Sequence, residues 1–282
     1  MEIQLTEESK FIKFGNPNGP VLVCIPGLLG GPEDFSGILP EVQDRFNILI
    51  INPIVIARDA GLNRLSPEIL NEVSYDSTAV DIYNALINEY YHEQGFFFLG
   101  ISLGGKVVYD FAIKYPKYFR GGLITDVGLA SFESSPLYTF VEGTINKVDL
   151  NLNWLDMKSH LRSNIPDKNL RILIQTQISY PTGAPPAIWK VGMKNFKSLL
   201  QRHEIDEQGQ EYKKIDEHFN KEQKFIHVLK AEKFSGISDD SYQSMKCLKS
   251  IKFHELQNSS HFLHITHKDK IREMLMNFNR EG

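Results

Sequence analysis

Short apolar runs separated by longer amphipathic stretches set the rhythm of this chain. Val21-Leu22-Val23-Cys24-Ile25 is continuously apolar and rich in β-branched residues, as a strand buried on both faces requires. Residues 46–51, 96–99 and 122–125 repeat that pattern, and residues 225–229 and 251–256 resume it nearer the C-terminus. Between the runs, apolar residues fall at helical spacing. Residues 74–91 carry Tyr75, Ala79, Ile82, Tyr83, Leu86 and Tyr90 at that spacing. Residues 103–115 do the same with Val107, Val108, Phe111 and Ala112, until Pro116 stops the helix. Residues 33–42, 239–248 and 268–278 read as further helices, and 52–67 as irregular. Ile3, Leu5, Phe11, Ile12 and Phe14 alternate weakly and predict an antiparallel edge hairpin ahead of the Asn16-Pro17-Asn18-Gly19-Pro20 turn. Strand and helix in alternation predict an α/β architecture, a mostly parallel twisted sheet with helices on both faces.

The rhythm breaks between residues 130 and 223, where helical and polar stretches surround Tyr180-Pro181-Thr182-Gly183-Ala184-Pro185-Pro186. This segment reads as a helical lid inserted into a core made of residues 1–129 and 224–282. Phe132, Tyr138, Phe140, Trp154, Trp189 and Phe196 are its candidates for the apolar wall of a pocket, although each taken singly also fits the insertion's own core. The charge-dense stretch 203–223 reads as a solvated helix face or an exposed loop.

Composition narrows the class. The chain has 282 residues, 41% hydrophobic and 23% charged, enough to bury a core without disulfide support. A formal net charge of −4 gives no electrostatic reason to expect nucleic acid or an acidic membrane as partner. The only cysteines are Cys24 and Cys247, which fits a reducing compartment. The N-terminal residues are acidic where a signal peptide would be basic, and no apolar run approaches the ~20 residues of a membrane span. A cytoplasmic protein, monomeric or homodimeric, is the expectation.

The chemistry centres on Gly100-Ile101-Ser102-Leu103-Gly104-Gly105, which stands between an apolar strand and a helix. Glycines two residues either side of a serine permit a very tight turn that displays its hydroxyl at a helix N-terminus, where negative charge is favoured. A serine hydroxyl needs a base within hydrogen-bond reach, and the base needs an acid to orient it. His261, in the segment after the last predicted strand, reaches the same sheet edge as Ser102. His264 and His267 follow it at spacing three; without cysteine or carboxylate neighbours they make a poor zinc set, and no metal is expected. Asp126 ends the predicted strand 122–125, where it also reads as a capping carboxylate.

Together these segments resemble the α/β-hydrolase family, and the resemblance extends over nearly the whole chain. Ile25-Pro26-Gly27-Leu28-Leu29-Gly30 is similar to the family's His-Gly loop, with proline in place of histidine. Gly100 to Gly105 matches the nucleophile elbow. Asn258-Ser259-Ser260-His261-Phe262-Leu263-His264 resembles the Gly-x-Gly-His-x-x-His segment, and Thr125-Asp126-Val127-Gly128 the turn that opens the lid. The order serine, acid, histidine is the family's own. The resemblance implies a serine nucleophile at Ser102, a general base at His261 and an oxyanion hole from the backbone N–H groups of Leu28 and Leu103, with no cofactor. It leaves the acid open. Members carry aspartate beyond the strand that here reads as 225–229, yet Leu229-Lys230-Ala231-Glu232-Lys233-Phe234-Ser235-Gly236-Ile237-Ser238 contains none. Asp126 can serve, as the equivalent acid does in haloalkane dehalogenases; Glu232 can serve; or the acid is missing. The implied substrate is a carboxylic ester with an apolar group. Thioester and carbon–carbon bond hydrolysis use the same machinery, and loss of the acid would leave a small-molecule-binding protein on the same fold.

Overall fold

The computed structural model describes residues 11–27, 30–51, 75–89, 95–130, 135–176, 178–189 and 210–278. Its centre is a seven-stranded sheet of β1 (Phe11–Gly15), β2 (Val21–Ile25), β3 (Asn47–Ile51), β4 (Phe96–Ile101), β5 (Phe119–Thr125), β8 (Ile226–Lys233) and β9 (Ile251–Ser260), in the order β1-β3-β2-β4-β5-β8-β9. All neighbours pair in parallel except β1, which runs antiparallel to β3 at the edge. The partner half of the expected edge hairpin lies outside the described residues.

Successive strand residues bury into opposite faces. Val21, Val23 and Ile25 join one apolar cluster while Leu22 and Cys24 join the other. The first cluster is closed by α1 (Tyr75–Glu89) and α2 (Leu103–Lys114). The second is closed by Phe35 and Leu39 and by the C-terminal helix α9 (Lys268–Asn277), through Ile271 and Leu275. Helix α2 is buried along nearly its whole length, from Leu103 to Ala112, Lys106 and Asp110 included.

Strand order places a topological switch between β2 and β4. The chain leaves β2 toward β3 on one side and returns to β4 on the other, opening a crevice at the carboxyl ends of these strands. The loop after β2 and the turn after β4 both face it.

Between β5 and β8 the chain leaves the sheet for α3 (Pro136–Ile145), α4 (Trp154–Asn164), α5 (Lys168–Thr176), the two-residue strands β6 (Ile178–Ser179) and β7 (Ile188–Trp189), and α6 (Gln210–Lys221). The small β6–β7 ribbon was not expected from the sequence. Helix α6 is largely the exposed helix face expected within 203–223, with one buried stripe. Tyr212, Asp216 and Phe219 fall at spacings of four and three and are buried, a stripe hidden by the charges around it. Asp216 accepts the Lys249 and Ser250 N–H groups at 3.0 and 2.8 Å and so ties α6 to the start of β9. The helix expected at 33–42 is instead two short 3-10 turns, Pro32–Phe35 and Leu39–Glu41. Pro40 lacks the N–H that a continuous helix would use there. After β8 come α7 (Asp239–Lys246), β9, and the short α8 (Leu263–Thr266) ahead of α9.

Candidate active site

Ser102 sits between β4 and α2 at φ +49°, ψ −117°, in the left-handed half of backbone space that non-glycine residues avoid. Its neighbours explain how the turn closes. A methyl group on Gly100 would meet Gly105 Cα at 2.7 Å and Gly105 N at 2.8 Å, and one on Gly104 would overlap the Ile25 and Pro26 carbonyl oxygens. Only glycine lets the elbow fold this tightly. The Ser102 N–H donates to Thr125 O at 2.9 Å, pinning the elbow to β5. Leu103, the first residue of α2, carries an N–H with no acceptor inside its own helix, at the positive end of the helix dipole.

The structure brings Ser102, His261 and Asp126 into one hydrogen-bonded line. His261 Nε2 lies 2.7 Å from Ser102 Oγ, and His261 Nδ1 lies 2.7 Å from Asp126 Oδ2. Asp126 is fully buried and His261 is 8% exposed, so this line is shielded from water along most of its length. Strand β9 runs to Ser260, four residues beyond the predicted end, with Asn258 at φ +54° near its end. That extension carries His261 from the far edge of the sheet toward Ser102.

Asp126, at φ +49° directly after β5, accepts four hydrogen bonds. Oδ1 takes the Ala231 N–H at 2.9 Å and the Ser235 hydroxyl at 2.7 Å. Oδ2 takes the Gly236 N–H at 2.8 Å and His261 Nδ1–H. The Ala231, Ser235 and Gly236 donors occupy three of the four acceptor positions of a carboxylate, and the fourth faces His261 Nδ1. With Asp126 ionised, Nδ1 donates to it, and Nε2 is then the acceptor for the Ser102 hydroxyl. Ala231, Ser235 and Gly236 were not singled out from the sequence. The absence of an aspartate in that segment was the only sign that it plays a different part.

Glu232 is elsewhere. Its Oε2 accepts the Asn258 N–H at 2.5 Å, and its own N–H donates to Ser259 Oγ at 3.0 Å, so it braces β8 against β9. His264 is half-buried, and its Nδ1, shielded from solvent, has no hydrogen-bond partner among the described residues. Burial, with a smaller push from His261, lowers its ring to about 4, which keeps it neutral near pH 7. His267 Nδ1 is occupied by Thr266 Oγ1 at 2.9 Å. Among the described residues no group of three or more His, Cys, Asp or Glu side chains is placed to hold a metal ion.

The loop after β2 lies against the elbow. A methyl group on Gly27 would come within 3.2 Å of Ile101 O and 3.4 Å of Ser102 Cβ. Leu28, the other expected oxyanion donor, lies outside the described residues. Asp34 Oδ2 accepts the Gly31 N–H at 3.3 Å. Burial pushes its carboxyl up to about 6, against the opposing pull of the Gly31 and Gly27 amides. Of the aromatic residues expected to wall a pocket, Phe140 packs on Phe234 with ring centroids 5.0 Å apart. Tyr138 is buried in the core, whereas Trp154 is exposed and stacks edge-on to Tyr180. Trp189 is half-buried against the core, and Phe132 and Phe196 fall outside the described residues.

No protein-family pattern and no curated protein sequence matches the chain. Solved structures match it over nearly its full length. A marine microorganism esterase is 20% identical, with 98% of this chain and 100% of that one covered at a TM-score of 0.69. The thioesterase domain from the curacin biosynthetic pathway is 18% identical over 94% of each chain, TM-score 0.60. A carboxylesterase from Bacillus subtilis is 15% identical, with 96% of this chain and 87% of that one covered, TM-score 0.56. At these identities the likeness is one of architecture, and it is consistent: the chain has the α/β-hydrolase fold.

Proposed function

On the premise of that fold, we propose that the protein is a serine hydrolase that cleaves a carboxylic ester through an acyl-enzyme on Ser102. Ser102 Oγ attacks the ester carbonyl as its proton passes to His261 Nε2, and Asp126 stabilises the imidazolium that forms. The Leu103 N–H, with that of Leu28, receives the oxyanion of the tetrahedral intermediate; one such donor is typically worth about 3 kcal/mol in the transition state. The intermediate collapses as the carbon–oxygen bond breaks, and His261 returns its proton to the departing alkoxide. Water then adds to the acyl-enzyme with His261 again as base, releasing the carboxylic acid and restoring Ser102.

The observation that carries this reading is the line itself: His261 lies 2.7 Å from both Ser102 Oγ and Asp126 Oδ2. Ala231, Ser235 and Gly236 fill the other three acceptor positions of Asp126, so the carboxylate is held facing His261 Nδ1. An apolar acyl or alcohol group fits Phe140 and Phe234, which meet where the insertion adjoins the end of β8. On this reading residues 130–223 are a lid over the site. The full-length likeness to an esterase supports the ester class; a thioester would pass through the same steps with a thiolate leaving group.

A fluorophosphonate probe tests the proposal. Rapid labelling located on Ser102 by mass spectrometry, and abolished in His261→Ala, is the expected result. Folded wild-type protein that takes no label would overturn it.

A further inference from the structure

We propose that Ser235 is a positioning residue for the acid: its hydroxyl holds Asp126 in the orientation from which it serves His261. The inference rests on the serine-hydrolase reading above. A hydroxyl has one proton, and here its destination is determined. Ser235 Oγ accepts the Ile237 N–H at 3.1 Å, so its proton is directed to Asp126 Oδ1 at 2.7 Å. Apart from His261, Ser235 is the one side chain among the described residues that donates to this carboxylate; the Ala231 and Gly236 donors are backbone. It is 6% exposed, so no bulk water stands ready to replace it.

The backbone around Ser235 is bent to make this contact. Phe234 sits at φ +49°, a conformation a bulky residue adopts only when its surroundings enforce it, and strain of this kind concentrates at functional sites. Ser102, Asp126 and Asn258 also have positive φ, each at or near the carboxyl end of its strand, as does Gln223 after α6. The turn at Phe234 brings Ser235 Oγ and Gly236 N–H back onto Asp126, one on each oxygen. In the segment where the family resemblance calls for an acid, this chain supplies the donors that hold an acid from the neighbouring strand. The same residue also touches the insertion: Ser235 O accepts the Leu137 N–H of α3 at 3.2 Å.

Removing the hydroxyl leaves Asp126 Oδ1 with one donor in place of two, and the carboxylate free to turn within its cradle. The test compares Ser235→Ala, Ser235→Thr and wild type on a p-nitrophenyl ester, with the His261 Nδ1 proton resonance followed by NMR. For Ser235→Ala, kcat falls about tenfold, the equivalent of one charge-assisted hydrogen bond, with KM within about twofold. The Nδ1 resonance moves, and Ser235→Thr, which keeps the hydroxyl, recovers most of kcat. Wild-type kcat and an unmoved resonance in Ser235→Ala would overturn the inference, as would equal losses in both variants. Should Ser235→Ala not fold, Ser235→Cys, with a weaker donor of similar size, is expected between wild type and inactivity; wild-type kcat there would count equally against it. Labelling of wild-type Ser102 by fluorophosphonate separates the two levels. A labelled wild type with an unaffected Ser235→Ala refutes this inference alone, and an unlabelled wild type refutes the reading beneath it.

Discussion

Replacing Asp126 with asparagine changes one atom of the site and should nearly abolish activity. When Ser102 attacks, His261 becomes positively charged 2.7 Å from Asp126 Oδ2. At an effective dielectric constant of about 20, that pair is worth about 6 kcal/mol, or roughly 10⁴-fold in rate. Hydrogen bonding leads to the same outcome by another route. Placed toward Oδ1, the asparagine NH₂ faces the Ala231 N–H, which can only donate, and turns the Ser235 hydroxyl from donor to acceptor. Placed toward Oδ2, it faces the Gly236 N–H and His261, and His261 alone of these groups can change tautomer to accept it. That tautomer puts a proton on Nε2, where Ser102 needs an acceptor. Asp126→Asn should therefore lose about 10⁴-fold in kcat, and about 1–3 kcal/mol of stability from the backbone donor left unmatched. Steady-state ester hydrolysis beside a denaturant melt reads both quantities. Glu232→Ala, which removes only the brace to Asn258, should stay within about threefold of wild type. If folded Asp126→Asn kept a tenth of wild-type activity, or if Glu232→Ala lost more, Asp126 would not be the acid.

Substitutions at three positions probe the scaffold. Burial, reinforced by the charge of Glu211, pushes Asp110 up to about 7 from 3.8, even though its Oδ2 lies 3.5 Å from Lys114 Nζ. The cost is full above pH 7 and fades as pH falls toward 3.8, so Asp110→Asn should be more stable than wild type at pH 8 and lose that advantage by pH 4. The shift corresponds to about 4 kcal/mol unscreened and roughly 1–2 kcal/mol after solvent screening; a pH-independent difference in denaturant midpoint would contradict this. Ser102→Gly and Ser102→Ala both remove the nucleophile, but only glycine relaxes at φ +49°, so Ser102→Gly should be the more stable by about 0.5–1 kcal/mol in chemical denaturation. The reverse order would mean that the elbow is unstrained. Gly100→Ala drives a methyl group into the Gly105 backbone and should cost about 3 kcal/mol, seen as a fall in Tm of several degrees; an unchanged Tm would show that the elbow can open.

Much of this was legible in the residues themselves because the signals are local. Continuous β-branched runs mark β2 and β3, and the strand–glycine–serine–glycine–helix pattern places Ser102 at its elbow. His261 was legible as the histidine following the last strand. What stayed open was the acid, for a physical reason. Asp126 and the segment of Ala231, Ser235 and Gly236 are more than 100 residues apart and meet only through the β5–β8 pairing, which no periodicity encodes. The Glu232 side chain is spent elsewhere: β8 and β9 shift register between Ala231 and Lys233, and its carboxylate accepts from Asn258. Helix α6 was hidden similarly, its stripe of Tyr212, Asp216 and Phe219 submerged in charge and including a buried carboxylate that pattern reading counts as polar. The 33–42 stretch had the composition of a helix, but Pro40 fell where a backbone donor was needed.

The central claim is that Ser102 carries the acyl group during turnover. Its most direct test is an acid quench in the first turnovers of an activated p-nitrophenyl ester, followed by intact-mass and peptide analysis. A burst of nitrophenol is expected, with an acyl adduct confined to the peptide containing Ser102, absent in Ser102→Ala and strongly slowed in His261→Ala. Steady ester hydrolysis by wild type with an equal rate in Ser102→Ala, or an adduct on any other residue, would contradict it.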